Sequence, residues 1–270
     1  MIQSTLKKLK SPVSRIGGKA RLAPWLRAFI PDHVVYCEPF CGGASLLFAK
    51  GPTSRVEILN DKDNFLIEFF SAIRKPNILR EIQEYLDSMP ISRTYWQHLN
   101  RKWHRRKPGE LIPALSEWFY LNRLTFAADQ KYGGFAAPSL TGRNPGVTFR
   151  NVVKNLSEMA KRLENVLFEC VSFWECIKKY DSPRTFFYVD PPYLSCERFY
   201  PDTFGMVDHV RLAELLHEIK GKVMISHTDH PFHSEYYAGW TRYQRQSFKG
   251  SHKSVGGTKP RTLECVWLNY

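Results

Sequence analysis

Apolar positions along the chain fall into two α/β-like stretches separated by a long, polar middle. The run Val34-Val35-Tyr36-Cys37 predicts a short buried strand, being β-branched and aromatic throughout. A turn follows at Pro39-Phe40-Cys41-Gly42-Gly43, and Ala44 to Lys50 opens a helix. Arg55 to Leu59 alternates as a second strand and turns at Asn60-Asp61-Lys62-Asp63. The spacing over Asn64 to Arg74 predicts a helix stopped by Lys75-Pro76. From roughly 76 to 160 no clear strand is visible, while Ile78 to Leu86 and Leu111 to Leu124 have helical spacing. Glycine-bearing stretches at 132–135 and 141–146 predict loops. The last third returns to strands at Thr185 to Val189 and Val223 to Ser226, around an amphipathic helix over Asp208 to Lys220. Two late aromatic strands, near Thr241 to Phe248 and Leu263 to Tyr270, flank a flexible basic loop. The pattern is one α/β domain interrupted by a helical, basic insertion.

Composition sharpens this picture. A chain of 270 residues with 43% hydrophobic content can bury a substantial core, which excludes general disorder. The excess of 39 Lys+Arg over 26 Asp+Glu, a net charge of +13, points to a polyanionic partner. No apolar run reaches the length of a membrane span, and the basic start, Met1 to Lys10, has no apolar signal region. The six cysteines (37, 41, 170, 176, 196 and 265) make no C-x-x-C pair and fit no common zinc spacing. Reduced thiols, a cytoplasmic location and no metal are the expectations.

Candidate chemistry sits at the strand ends. Glu38-Pro39-Phe40-Cys41-Gly42-Gly43 lies between a strand and a helix, where glycines let the backbone pass close to a nucleoside. Asp61 closes the second strand, where an acid typically holds ribose hydroxyls. The phosphate fingerprint G-x-G-x-x-G is absent, which favours a nucleoside such as S-adenosylmethionine over NAD. Asp190-Pro191-Pro192-Tyr193 directly follows an apolar strand, at the end where open α/β sheets bind ligands. The Asp190 carboxylate and the Pro191 carbonyl can both accept hydrogen bonds from an aromatic amino group, since Pro192 has no N–H. Tyr193 offers a face on which an extruded base can stack. Gly17-Gly18 forms a candidate backbone nest beside Lys19, or an ordinary loop. Arg101, Lys102, Arg105, Arg106 and Lys107 surround Trp103 and His104 in a stretch with no acid, a candidate phosphate-binding patch. Lys253 lies in a second, weaker basic segment.

Taken together and in order, Gly17-Gly18-Lys19, the 38–43 motif, the basic insertion and Asp190-Pro191-Pro192-Tyr193 resemble the Dam-like adenine-specific DNA methyltransferases. The segments Ile225-Ser226-His227-Thr228-Asp229 and Leu263 to Tyr270 are similar to that family too. The resemblance implies a Rossmann-like methyltransferase core with a mixed seven-stranded sheet, over 1–74 and 163–270, and a target-recognition insertion over 75–162. It implies that S-adenosylmethionine is held by Arg15, Gly18, Lys19, Asp61 and Asp190, with Glu38, Phe40 and Gly42 lining its site. It implies that Asp190, Pro191, Pro192 and Tyr193 receive a flipped adenine from double-stranded DNA, with no metal. Asn122-Arg123 is a candidate recognition or phosphate contact, or a buried structural pair. Two departures stand out: many relatives carry an aromatic residue in place of Arg15, and Gly134-Phe135-Ala136-Ala137-Pro138 lacks the Asn of GATC-methylating relatives. A bacterial or phage origin and a monomer, with a transient dimer as the alternative, complete the expectations, and the sequence leaves open whether a cognate restriction endonuclease accompanies the chain. The alternatives are an RNA adenine methyltransferase and a catalytically inactive DNA-binding relative.

Overall fold

The computed structural model describes residues 9–103, 109–129, 133–139, 142–194, 204–248 and 261–270. Its chain contacts divide into two units. The first comprises residues 1–23, 45–52 and 63–165, and the second 24–44, 53–62 and 166–270.

The second unit holds the sheet. Among the described residues its strands are β1 (Val35–Glu38), β2 (Val56–Asn60), β3 (Val166–Glu169), β4 (Thr185–Val189), β5 (Lys222–Thr228), β6 (Thr241–Phe248) and β7 (Arg261–Leu268). They form one seven-stranded sheet in the order β3-β2-β1-β4-β5-β7-β6. The first five strands in that order pair in parallel, and β7 joins β5 and β6 antiparallel. Central β4, Thr-Phe-Phe-Tyr-Val, is buried at all five positions, as expected of a strand covered on both faces. Edge strand β6 is polar and exposed along nearly its whole length. The strand β3 escapes sequence reading for a physical reason: its apolar run, Val166-Leu167-Phe168, is only three residues long, and half-exposed Leu167 shows no alternation.

Three helices of this unit cover one sheet face: α9 (Phe173–Tyr180), α10 (Met206–Glu218) and α11 (Pro231–Tyr236). Their apolar sides, Cys176 and Ile177, then Leu212, Leu215 and Leu216, then Tyr236 and Tyr237, pack with Cys37, Ile58, Phe187, Val223, Ile225 and Trp267. The amphipathic spacing of 208–220 is thus used as expected, with the helix beginning two residues earlier at Met206.

The first unit is helical. Its core is α6 (Leu111–Leu124), in which all but four residues are buried. Phe119 of α6 stacks on Phe69 of α3 (Asn64–Ile73), with centroids 4.7 Å apart and planes 9° apart. The helices α4 (Pro76–Ser88), α7 (Pro145–Lys154) and α8 (Leu156–Leu163) pack around this pair. The basic stretch after Ser92 begins as a helix, α5 (Arg93–Trp103), burying Trp96 and Leu99. The loop after α6 folds back on itself: the Phe126 N–H bonds to the Gly134 carbonyl at 2.8 Å, and Thr125 pairs with Phe135.

Candidate active site

β1 and β4 are neighbours at the middle of the parallel sheet, with Val35 opposite Thr185 and Cys37 opposite Phe187. Chain order reverses there, since β2 lies beyond β1 on one side and β5 beyond β4 on the other. Such a switch point opens a crevice at the carboxyl ends of the strands. Both strong motifs emerge at that place: Glu38 ends β1, and Asp190 follows β4 directly.

The acid of the second motif is held from beneath. Ser226, on β5, donates its hydroxyl to Asp190 Oδ1 at 2.9 Å, and the Tyr188 hydroxyl lies 3.2 Å from Ser226 Oγ. Ser226 has one proton and gives it to the carboxylate, so Tyr188 donates to Ser226. Burial, then the charge of Asp190, pushes the Tyr188 phenol well above its usual range, so it remains a donor. The carboxylate is therefore oriented while itself only half-buried. Tyr193 is buried and donates to Glu264 Oε2 on β7 at 2.9 Å, and burial followed by Asp190 raises its pKa as well. Its ring lies parallel to that of His227 on β5, with centroids 4.2 Å apart and planes 25° apart.

The first motif forms a tight turn. Gly42 adopts φ 47° and Ala44 φ 50°, the left-handed region that disfavours a side chain at the second position. The Gly42 N–H donates to Asp61 Oδ2 at 2.9 Å, so the acid that closes β2 does meet the glycine turn after β1. Buried Glu38 accepts from the Tyr36 hydroxyl at 2.7 Å. Phe40 stacks on Phe173 at 5.3 Å and meets Phe204 edge-on at 5.5 Å. Sequence reasoning missed Phe173, Phe204, Ser226 and Glu264. The aromatic pair Phe173 and Phe204 flank Phe40 only through folding, and no local motif marks them.

In the helical unit, Arg15 forms an ion pair with Asp63 and lies 6.0 Å over the Trp118 ring. Lys19 is buried and donates to the Gly17 carbonyl at 2.8 Å, which folds Gly17-Gly18-Lys19 back on itself. A Cβ on Gly18 would come 3.0 Å from the Arg15 carbonyl, so the turn has little room for a side chain there. Asn122 is buried and uses its amide twice on the Ser14 backbone, accepting at 2.9 Å and donating at 2.8 Å. Arg123 donates to Ser14 Oγ at 2.6 Å, and burial, helped by nearby Arg143, lowers its pKa to about 10. Arg101 is exposed, while Lys102 pairs with Glu117 at 2.7 Å. Arg105, Arg106, Lys107 and Lys253 lie outside the described residues. Among the described helices none is long and apolar enough to cross a membrane.

The profile of the D12 class N6 adenine-specific DNA methyltransferases matches residues 16–250. A type II methyltransferase, M.CviBI, of Paramecium bursaria Chlorella virus NC1A is 28% identical over 97% of this chain and 100% of its own length. A DNA adenine methylase of Salmonella typhi is 24% identical over 97% of this chain and 96% of its own. The type II methyltransferase M.MjaIII of Methanocaldococcus jannaschii is 24% identical over 78% of this chain and 82% of its own.

Proposed function

Since the chain belongs to the D12 class N6 adenine-specific DNA methyltransferases, we propose that Asp190, Pro191, Pro192 and Tyr193 form its catalytic turn and that S-adenosylmethionine is the methyl donor. The observation that carries this reading is the position of Asp190 at the switch point, oriented by Ser226 and Tyr188.

The residues present fit a nucleoside donor. Asp61 at the end of β2 offers a carboxylate for ribose hydroxyls, Gly42 brings backbone close, and Phe40 with Phe173 and Phe204 makes an aromatic wall. Glu38 is a further acceptor at the end of β1. When bound, S-adenosylmethionine supplies an electrophilic methyl group on a sulfonium sulfur. Arg15, Gly18 and Lys19 are further members of the proposed donor-binding set.

The chain's own residues then act on the base. The Asp190 carboxylate and the Pro191 carbonyl accept the two amino hydrogens of adenine, which turns the nitrogen lone pair outwards. Tyr193 stacks on the extruded ring; extrusion costs a few kcal/mol, which stacking and the two acceptors offset. As the nitrogen takes the methyl group, the methyl–sulfur bond would break and S-adenosylhomocysteine would leave as a neutral thioether; the nitrogen becomes cationic, and the adjacent carboxylate stabilises that charge. The surplus proton then leaves the amino nitrogen by way of Asp190 to solvent. No metal and no covalent intermediate is required.

DNA is read, in this proposal, by the insertion over 75–162. Arg101, Lys102, Arg105, Arg106, Lys107 and Lys253 contact phosphates, and Arg123 adds a cation that buried Asn122 holds in place through Ser14. A monomer, with a transient dimer as the alternative, belongs to the same proposal. The deciding experiment is methyl transfer from radiolabelled S-adenosylmethionine to mixed duplex DNA, followed by digestion to identify the modified base. The chain is expected to yield N6-methyladenine, and Asp190→Ala to abolish transfer while leaving duplex binding within about twofold. An Asp190→Ala variant with undiminished transfer refutes the assignment.

A further inference from the structure

Behind Tyr193 stands a feature that this chemistry leaves unused: three buried histidines, His209, His227 and His233, with ring nitrogens within 4.8 Å of one another. Such a set suits a borderline divalent metal, but the hydrogen bonds of His227 speak for another role. The Leu194 N–H donates to His227 Nε2 at 3.0 Å. A backbone N–H can only donate, so Nε2 carries the lone pair and the ring proton sits on Nδ1, 3.1 Å from the Thr228 carbonyl. Nδ1 also lies 3.3 Å from the Thr228 hydroxyl, so both ring nitrogens are committed.

The ring of His227 is committed as well. Tyr193 lies 4.2 Å from it and His233 lies 3.7 Å from it, tilted by 25° and 30°. Two near-parallel rings at those distances cannot share one face, so His227 is sandwiched between them. Burial, with His209 and His230 adding to it, lowers the His233 pKa to about 3, so His233, the outer ring of the column, stays uncharged at neutral pH. Glu264 fixes the rim of Tyr193 and His227 covers one of its faces. A base stacking on Tyr193 does so on the other face.

We propose that His227 is a positioning residue for adenine methylation: its ring backs Tyr193 and its Nε2 anchors the Leu194 amide, holding the 190–194 turn in the shape that receives the base. The inference rests on the reading of that turn as the adenine site.

Two variants of the full chain separate the two contacts. His227→Phe keeps a ring and removes the acceptor, whereas His227→Gln keeps an acceptor and removes the ring. Each is expected to slow single-turnover methyl transfer to plasmid DNA by about 10- to 100-fold, the scale of a small misplacement of reacting groups. The Kd for S-adenosylmethionine by calorimetry is expected to stay within about threefold. Nitrogen NMR of histidine-labelled protein should show His227 protonated on Nδ1, and the Leu194 amide should exchange faster in His227→Phe than in the wild type. Wild-type transfer rates in both variants overturn the proposal. So does stoichiometric zinc that both variants lose, because a ligated Nε2 could not accept from Leu194. A wild-type chain that methylates no DNA overturns the underlying adenine-site reading, and this inference with it.

Discussion

Single side chains here do their work through partners far away in sequence. Asp190 is legible without a structure because its neighbours Pro191, Pro192 and Tyr193 are adjacent in the chain, and Asp61 because strand periodicity marks where β2 ends. Ser226, Glu264 and His227 are not legible, since their meaning comes from sheet pairing: Ser226 lies opposite Val266, and Thr228 opposite Glu264, only once β7 has docked. His233 yields a test at the same scale. Its folded pKa of about 3 lies below the ordinary 6.5, so the unfolded chain binds a proton that the folded chain refuses. The associated stability is whole above pH 6.5 and drains as pH falls towards about 3, by up to about 1.4 kcal/mol per pH unit. Thermal melts at pH 7, 6 and 5 should show that loss for the wild type and a shallower one for His233→Phe; parallel curves would remove His233 as the cause.

Strand ends, rather than strands, hold the site together. Asn60 ends β2 and is buried, and its side chain donates to the Pro39 carbonyl at 2.9 Å and to the Val171 carbonyl at 3.1 Å while accepting the Val171 N–H at 3.0 Å. One amide thus ties the loop after β1 to the loop after β3. Asn60→Ala would strand these backbone groups in the interior, at about 1–3 kcal/mol for an unsatisfied group. A melting-temperature drop together with weaker S-adenosylmethionine binding is expected, and an unchanged Kd would detach this clamp from the donor site. Helices α6 and α10 were readable because each carries enough turns to display a period. β3 and α9 were not: the strand is four residues and half wet, and the helix has eight residues with only Cys176 and Ile177 buried. For α9 the usable signal was the capping box Ser172 with Glu175, a start mark of polar residues rather than an apolar stripe.

Over the whole molecule, charge and fold serve different ends. The surplus of +13 says nothing about the sheet but sets the expectation of strong, salt-sensitive DNA binding. Affinity for non-specific duplex should fall linearly on logarithmic axes as salt rises. Replacing Arg101, Arg105, Arg106 and Lys107 together by Ala should flatten that line by about one unit of slope per lost phosphate contact. An unaltered slope would move the phosphate contacts elsewhere. The alternation of α/β and helical stretches was visible in the sequence, because it rests on local periodicity. That 45–52 and 63–74 group with the helical unit was not, since grouping depends on packing partners rather than on pattern.

The place of β7 carries a consequence for biosynthesis. This strand, the last of the described ones in chain order, is threaded between β5 and β6 and brings Glu264 to Tyr193. A nascent chain that has yet to release residues 261–268 leaves β5 as a raw sheet border and Tyr193 without its tether. Premature termination or proteolysis before Arg261 would therefore silence the protein at a stroke, although every catalytic residue proposed above would already have been made.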